Sequence, residues 1–179
     1  RSARTDESRK ALSRRVSLRR LERCASIEDL REAARRRLPR IAFDYLDGGA
    51  GDEAAMRRNR AALDAVTLTP RALIDVSARS TAVELFGRRY AAPVGTAPIG
   101  LVNFTARDGD AQVALAAKAL DLPYVLSTAA TTSIEAMAAR LDGRLWFQLY
   151  MPRDRAIGDD LVQRAETARV SVLVLTVDV

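Results

Sequence analysis

Three short apolar runs each close on a single polar side chain: Tyr124-Val125-Leu126 on Ser127, Leu145-Trp146-Phe147 on Gln148, and Leu173-Val174-Leu175 on Thr176. A helix-compatible stretch separates each run from the next, so the second half of the chain reads as a β/α repeat. A fourth run, Pro93 to Pro98, ends in Ile99-Gly100. Parallel strands covered on both faces are near-continuous apolar stretches, and in β/α barrels the residues at their C-terminal ends build the ligand site. Gly100, Ser127, Gln148 and Thr176 are separated by 27, 21 and 28 residues, lengths that suit β/α units. Right-handed crossovers would set four strands side by side with their polar ends on one rim.

A complete eight-fold barrel takes roughly 250 residues, and a chain of 179 with four such strand candidates falls short of it. No apolar run approaches the ~20 residues of a membrane span, and the first residues are too charged for a secretory signal peptide. Cys24 is the only cysteine, which excludes an internal disulfide and favours a reducing compartment; its simplest role is that of a small residue before a helix. The net charge of +6 is unevenly placed: residues 1–40 carry fourteen Arg or Lys against six acids, the remainder fifteen against seventeen. The basic character belongs to an N-terminal arm with almost no aromatics and no groove-reading motif. A solvated, poorly ordered extension explains it, with binding to nucleic acid or an anionic membrane as the competing reading.

Three sections are expected: a basic arm over 1–25, a helical cap with short strands over 26–92, and β/α units over 93–179. Ser26-Ile27-Glu28-Asp29 has capping-box form and should start a helix; Pro39 either ends it or begins the next, which Gly48-Gly49 stops. Residues 52–65 read as a further helix with Met56 and Leu63 on its inner side. Thr81 to Leu85 and the turn at Gly87 suggest short strands. Beyond Pro93, helices are expected at about 108–120, from a Thr132-Ser133-Ile134-Glu135 capping box to Leu141, and at about 157–168.

The usual nucleotide fingerprints, Gly-x-Gly-x-x-Gly and Gly-x-x-x-x-Gly-Lys-Ser/Thr, are missing. There is no histidine, so a Ser-His-Asp triad is excluded and no metal site is expected. What remains is a neutral polar set: the Gln148 amide and the Ser127 and Thr176 hydroxyls. A large, flat, mostly uncharged heterocycle needs such donors and acceptors in an otherwise apolar wall. Each residue alone is an ordinary satisfied strand end, but three at corresponding positions point to a site.

Phe43-Asp44-Tyr45-Leu46-Asp47-Gly48-Gly49-Ala50, Ala97-Pro98-Ile99-Gly100, Leu126-Ser127-Thr128, Trp146-Phe147-Gln148-Leu149-Tyr150 and Leu175-Thr176-Val177-Asp178 closely resemble the FMN-dependent 2-hydroxy-acid dehydrogenases and oxidases. Within that family the mandelate and lactate dehydrogenases are most similar. The resemblance runs in order from about Ser26 to the last residue. It implies an α/β fold made of an N-terminal cap plus the first four β/α units of a TIM-type (β/α)8 barrel, with FMN as cofactor and oxidation of a mandelate- or lactate-like 2-hydroxy acid as the activity.

It also implies roles. The backbone of Pro98, Ile99 and Gly100 would face the flavin, and Ser127, Gln148 and Thr176 would be its hydrogen-bonding partners. Tyr45 and Tyr150 would meet the substrate, and Asp178 would orient and stabilise a histidine base, which makes Tyr150 and Asp178 the catalytic candidates. In the family that histidine, the substrate-carboxylate arginines and a flavin-side lysine lie beyond the fourth strand, so the 179 residues are expected to be the N-terminal part of the enzyme and inactive alone. A non-catalytic half-barrel that binds or complements a partner is the alternative. Ala129 stands where some oxidases carry a large aromatic residue, which favours aromatic or branched substrates. Gly100 stands where oxygen-using relatives often have alanine, which favours a quinone or another electron acceptor. A cytoplasmic homo-oligomer, in peripheral contact with the inner face of a membrane at most, is expected, and nucleic acid is not.

Overall fold

The computed structural model describes residues 23–177, so most of the basic arm and Asp178 lie outside the described residues. The chain divides between Thr67 and Leu68 into two compact units.

The first unit holds three helices, α1 (Ile27–Arg35), α2 (Arg40–Asp47) and α3 (Ala54–Asp64). The expected capping box starts α1: the Asp29 N–H donates to Ser26 Oγ at 3.1 Å, and the Ser26 N–H donates to Asp29 Oδ2 at 3.0 Å. Those bonds, Ser26 first, hold the Asp29 carboxyl below its ordinary pKa. Pro39 occupies the N-cap of α2 and Gly48 its C-cap. A Cβ on Gly48 would lie 2.8 Å from the Asp44 carbonyl oxygen, so the close return of chain onto helix requires glycine there. Arg31 grips both carboxylate oxygens of Asp47, at 2.5 and 2.8 Å, tying α1 to α2. Only Ala42 and Phe43 of these helices are buried. Met56 and Leu63, expected on an inner side of α3, are instead exposed; helical periodicity makes a face but does not supply something to cover it.

The second unit opens with a hairpin, β1 (Val83–Leu85) antiparallel to β2 (Arg88–Tyr90). Phe86 and Gly87 link them with φ of 52° and 73°, the two positive values that match a two-residue turn to strand twist. The turn sets the Phe86 ring edge-on to Trp146 at 5.2 Å, and Trp146 Nε1 donates to the Tyr90 hydroxyl at 3.1 Å.

After a 3₁₀ turn at Val102–Phe104 the order is α4 (Gly109–Ala119), β3 (Tyr124–Ser127), α5 (Ile134–Leu141), β4 (Leu145–Tyr150), α6 (Arg155–Thr167) and β5 (Val172–Thr176). The strands form one parallel sheet in the order β3-β4-β5. The run at Pro93–Pro98, expected as a further strand, pairs only through a single bridge from Thr96 to Tyr124. Two prolines, which cannot donate to a ladder, account for that. Gly95 lets this segment approach, since a Cβ there would sit 2.7 Å from the Pro123 ring.

Strand alternation sorts the sheet residues. Tyr124 and Leu126 of β3 and Leu145, Phe147 and Leu149 of β4 pack with Ala114 and Ala117 of α4, Ile134, Met137 and Leu141 of α5, and Ala165 of α6 to form the core. Alanines let α4 lie close to the sheet. Val125, Ser127, Trp146, Gln148, Tyr150, Val174 and Thr176 take the opposite face. The cap of α5 falls one residue later than expected: the Ser133 hydroxyl accepts from the Ala136 N–H at 3.2 Å, while the Thr132 hydroxyl donates to Asp110. No helix among the described residues is long and apolar enough to cross a membrane.

Candidate functional site

Gln148 lies at the centre of the polar face and is 1 % exposed. Its Oε1 accepts from Ser127 Oγ at 3.1 Å and from the Thr128 N–H at 3.3 Å, and its Nε2 donates to Thr176 Oγ1 at 2.8 Å. The register explains the row. Ser127 pairs directly with Gln148, whereas Thr176 pairs with Tyr150, two residues on. Residues two apart share a face, so the long amide side chain spans the step. The structure thus brings together the three neutral polar residues singled out in the sequence. Ser127 is also buried, which leaves Thr176 as the member of the row most open to solvent.

Two of these three partners are hydroxyls, which can donate or accept; the third is a backbone N–H, which can only donate. Thr128 N–H therefore decides which end of the Gln148 amide faces β3. Oε1 is fully used, while Nε2 keeps one N–H and Thr176 keeps its O–H. The row as built offers spare donors and no formal charge, a donor set suited to a carbonyl oxygen or ring nitrogen of a neutral heterocycle.

Thr128 contributes more than the motif reading assigned it. Its hydroxyl donates to the Gln148 carbonyl at 2.6 Å and accepts from the Tyr150 N–H at 3.0 Å, clamping the end of β4. Tyr150, the last residue of that strand, is partly exposed at 38 %. Pro98, Ile99 and Gly100 follow the Thr96 bridge, with Pro98 and Ile99 exposed, and the next residue, Leu101, donates its N–H to the Ala129 carbonyl at 3.1 Å. Tyr45 sits on α2 in the first unit and is half exposed.

Two features escaped the sequence reading. Asp110, 1 % exposed in the first turn of α4, accepts from the Thr131 N–H and hydroxyl and from the Thr132 hydroxyl. Burial, with a smaller contribution from Asp110, pushes the Tyr124 hydroxyl above its ordinary pKa. Arg164 of α6 makes a two-pronged pair with Glu135 of α5 at 2.7 and 3.0 Å, and its hydrogen bonds draw the glutamate down to about 2. A cleft of about 290 Å³ lies beside these residues on the helical side of the sheet, lined by Leu126, Thr128, Ser133, Phe147 and Arg164. Of the polar row it reaches Ser127 but neither Gln148 nor Thr176, and Glu135 already holds its arginine. Among the described residues no group of His, Cys, Asp and Glu could hold a metal ion.

The family described as FMN-dependent dehydrogenase matches residues 34–179. An L-lactate dehydrogenase of Caulobacter vibrioides is 47 % identical over 154 residues, covering 86 % of this chain and 40 % of that protein. An L-lactate dehydrogenase of Alcaligenes faecalis is 42 % identical, covering 86 % and 41 %. Among solved structures, a mandelate oxidase superposes with a TM-score of 0.82 at 43 % identity, over 87 % of this chain and 45 % of that one. An oxidised active mutant of (S)-mandelate dehydrogenase gives 0.80 at 42 %, over 85 % and 43 %. The chain spans about two fifths of the length of the curated relatives it matches.

Proposed function

The chain belongs to the FMN-dependent dehydrogenase family, and from that premise we propose that it forms the N-terminal part of a flavoenzyme oxidising a 2-hydroxy acid to the 2-oxo acid. The observation that carries the reading is the Ser127–Gln148–Thr176 row: uncharged, aligned across one face near the C-terminal ends of the strands, with spare donors on Nε2 and on the Thr176 hydroxyl. In this reading the segment at Pro93–Pro98 and β3, β4 and β5 are the first four strand positions of a TIM-type barrel.

The donor set fits FMN. Gln148 and Thr176 would donate to acceptor atoms of its ring, Ser127 would hold the amide, and the backbone at Pro98, Ile99 and Gly100 would face the ring. Bound FMN would supply the two-electron acceptor that no side chain provides. Tyr45 and Tyr150 would bind the substrate carboxylate and hydroxyl, fixing which bond faces the cofactor. Asp178 would orient a histidine base and stabilise its protonated form; the 179 residues contain no histidine, so that base belongs to the remainder of the protein. The small Ala129 leaves room for an aromatic or branched substrate side chain. Gly100 supports electron delivery to a quinone or other carrier rather than to oxygen.

The test is anaerobic mixing of the whole FMN-loaded protein with (S)-mandelate, L-lactate and glycolate. Bleaching of the flavin absorbance by mandelate or lactate, faster than by glycolate, is expected. Protein that takes up no FMN, or whose flavin none of the three bleaches, contradicts the proposal.

A further inference from the structure

Asp110 is a buried carboxylate on a helix that contributes nothing to the polar row directly. Its Oδ2 accepts three hydrogen bonds, from the Thr131 N–H at 3.3 Å and the Thr131 and Thr132 hydroxyls at 3.1 Å each. Its own N–H donates to Asn103 Oδ1 at 3.3 Å. Its Oδ1 is buried with no partner, a costly arrangement for a residue whose only task is to fill space.

What Asp110 holds is the loop between β3 and α5, residues 128–133. The other end of that loop carries the Thr128 N–H, which fixes the orientation of the Gln148 amide, and the Ala129 N–H, which donates to Ser127 Oγ at 3.1 Å. The Ala129 carbonyl in turn accepts from Leu101, next to Gly100. The loop is thus fastened to the polar row at one end and to Asp110 at the other. If it loosens at Thr131 and Thr132, the Thr128 N–H is left held by the Thr128 hydroxyl on β4 and by the short bonds of Ala129 and Ala130 to Ser127, and any shift there frees the amide, because Ser127 and Thr176 accept either end of it.

We infer that Asp110 is a positioning residue for the cofactor: by holding Thr131 and Thr132 it acts together with the Thr128 hydroxyl to keep the Thr128 N–H in place and so keeps the Gln148 Nε2 donor aimed along the row towards Thr176. The inference rests on the flavin reading above, and it adds a residue outside the strand ends to the cofactor machinery.

The experiment measures the FMN dissociation constant and the visible spectrum of bound flavin for the whole protein and its variants. Asp110→Ala should weaken FMN binding on the order of tenfold, as expected when a buried acceptor is removed and its donors are stranded, and should shift the flavin absorbance bands. Asp110→Asn keeps an acceptor for both threonines and should bind within about twofold of wild type, the three hydrogen bonds being weakened rather than lost. In a Gln148→Leu background, Asp110→Ala should have no further effect on affinity, because the amide it orients is gone. If Asp110→Ala does not fold, Thr131→Val/Thr132→Val replaces it and should show the same loss and the same silence in the Gln148→Leu background. Wild-type affinity and spectrum in the variant that folds, no rescue by asparagine, or an undiminished effect in the Gln148→Leu background would overturn the inference while leaving the flavin reading intact. Wild-type protein that binds no FMN removes the flavin reading itself.

Discussion

Alternate residues of the same strands build two faces of the β3–β5 sheet that differ in what they leave unsatisfied. On one face Leu126, Leu145, Phe147 and Leu149 are buried with Tyr124 under α4, α5 and α6, and only at the β5 edge do Leu173 and Leu175 stay exposed among the described residues. On the other, Ser127, Gln148 and Thr176 form a hydrogen-bonded row that ends with donors to spare. The first face needs only volume and apolar surface; the second depends on which atom is a donor and which an acceptor. A period of two residues lets one strand serve both ends, so stability and ligand chemistry can be altered separately by changing neighbours in sequence.

Substitutions on the two faces should therefore fail in different ways. Phe147→Ala, on the closed face, should lower unfolding free energy by about 3–5 kcal/mol, read by denaturant or thermal melting, as for other large-to-small core changes. Gln148→Leu is close in volume but strands the Ser127 hydroxyl and the Thr128 N–H, so a smaller loss of about 1–3 kcal/mol is expected in the same melt. Tyr45→Phe and Tyr150→Phe remove a single hydroxyl from partly exposed residues. The Tyr150→Phe melt should match wild type, while in both variants kcat/KM for a 2-hydroxy acid in the whole enzyme falls about tenfold, the effect of one hydrogen bond to a charged substrate. Unchanged kinetics in both would confine these tyrosines to a packing role.

The smallest effect lies on the helices behind the closed face. Arg164 depresses the Glu135 carboxyl from the ordinary 4.5 to about 2, so the pair stabilises the fold above pH 4.5 and its contribution disappears as the pH falls towards 2. Both side chains are more than a third exposed, and solvent screening keeps the contribution small. Glu135→Gln should lower the melting point slightly at pH 7 and by clearly less at pH 2.5, where most of the contribution is already lost. A drop of equal size at both would show that charge is not the cause.

The closed face was the more legible in sequence, because apolar runs report strands without knowledge of their partners. β3 has its expected bounds, but β4 continues past Gln148 to Tyr150 since Leu149 and Tyr150 still find pairing partners in β5; a polar residue marks a face, not the end of a strand. The Pro93–Pro98 run has strand hydrophobicity without enough N–H groups to form a ladder. Thr132 and Ser133 are equally good caps in sequence, and the choice between them is made by Asp110, 22 residues away, which engages the Thr132 hydroxyl. The polar row itself could be foreseen because each of its three residues closes an apolar run in the sequence. Its orientation could not, because that rests on the backbone N–H of Thr128, a group every non-proline residue carries.

The central claim, that the polar face is the cofactor face, is tested most directly by titrating FMN into the whole apoprotein carrying wild-type, Gln148→Leu or Leu149→Ala sequence at a temperature where all three are folded. Adjacent residues on opposite faces should give opposite results: Gln148→Leu should weaken FMN binding about tenfold or more, the cost of losing a ring donor in a buried site, and Leu149→Ala should bind as wild type does. Equal affinity for wild type and Gln148→Leu would contradict the account.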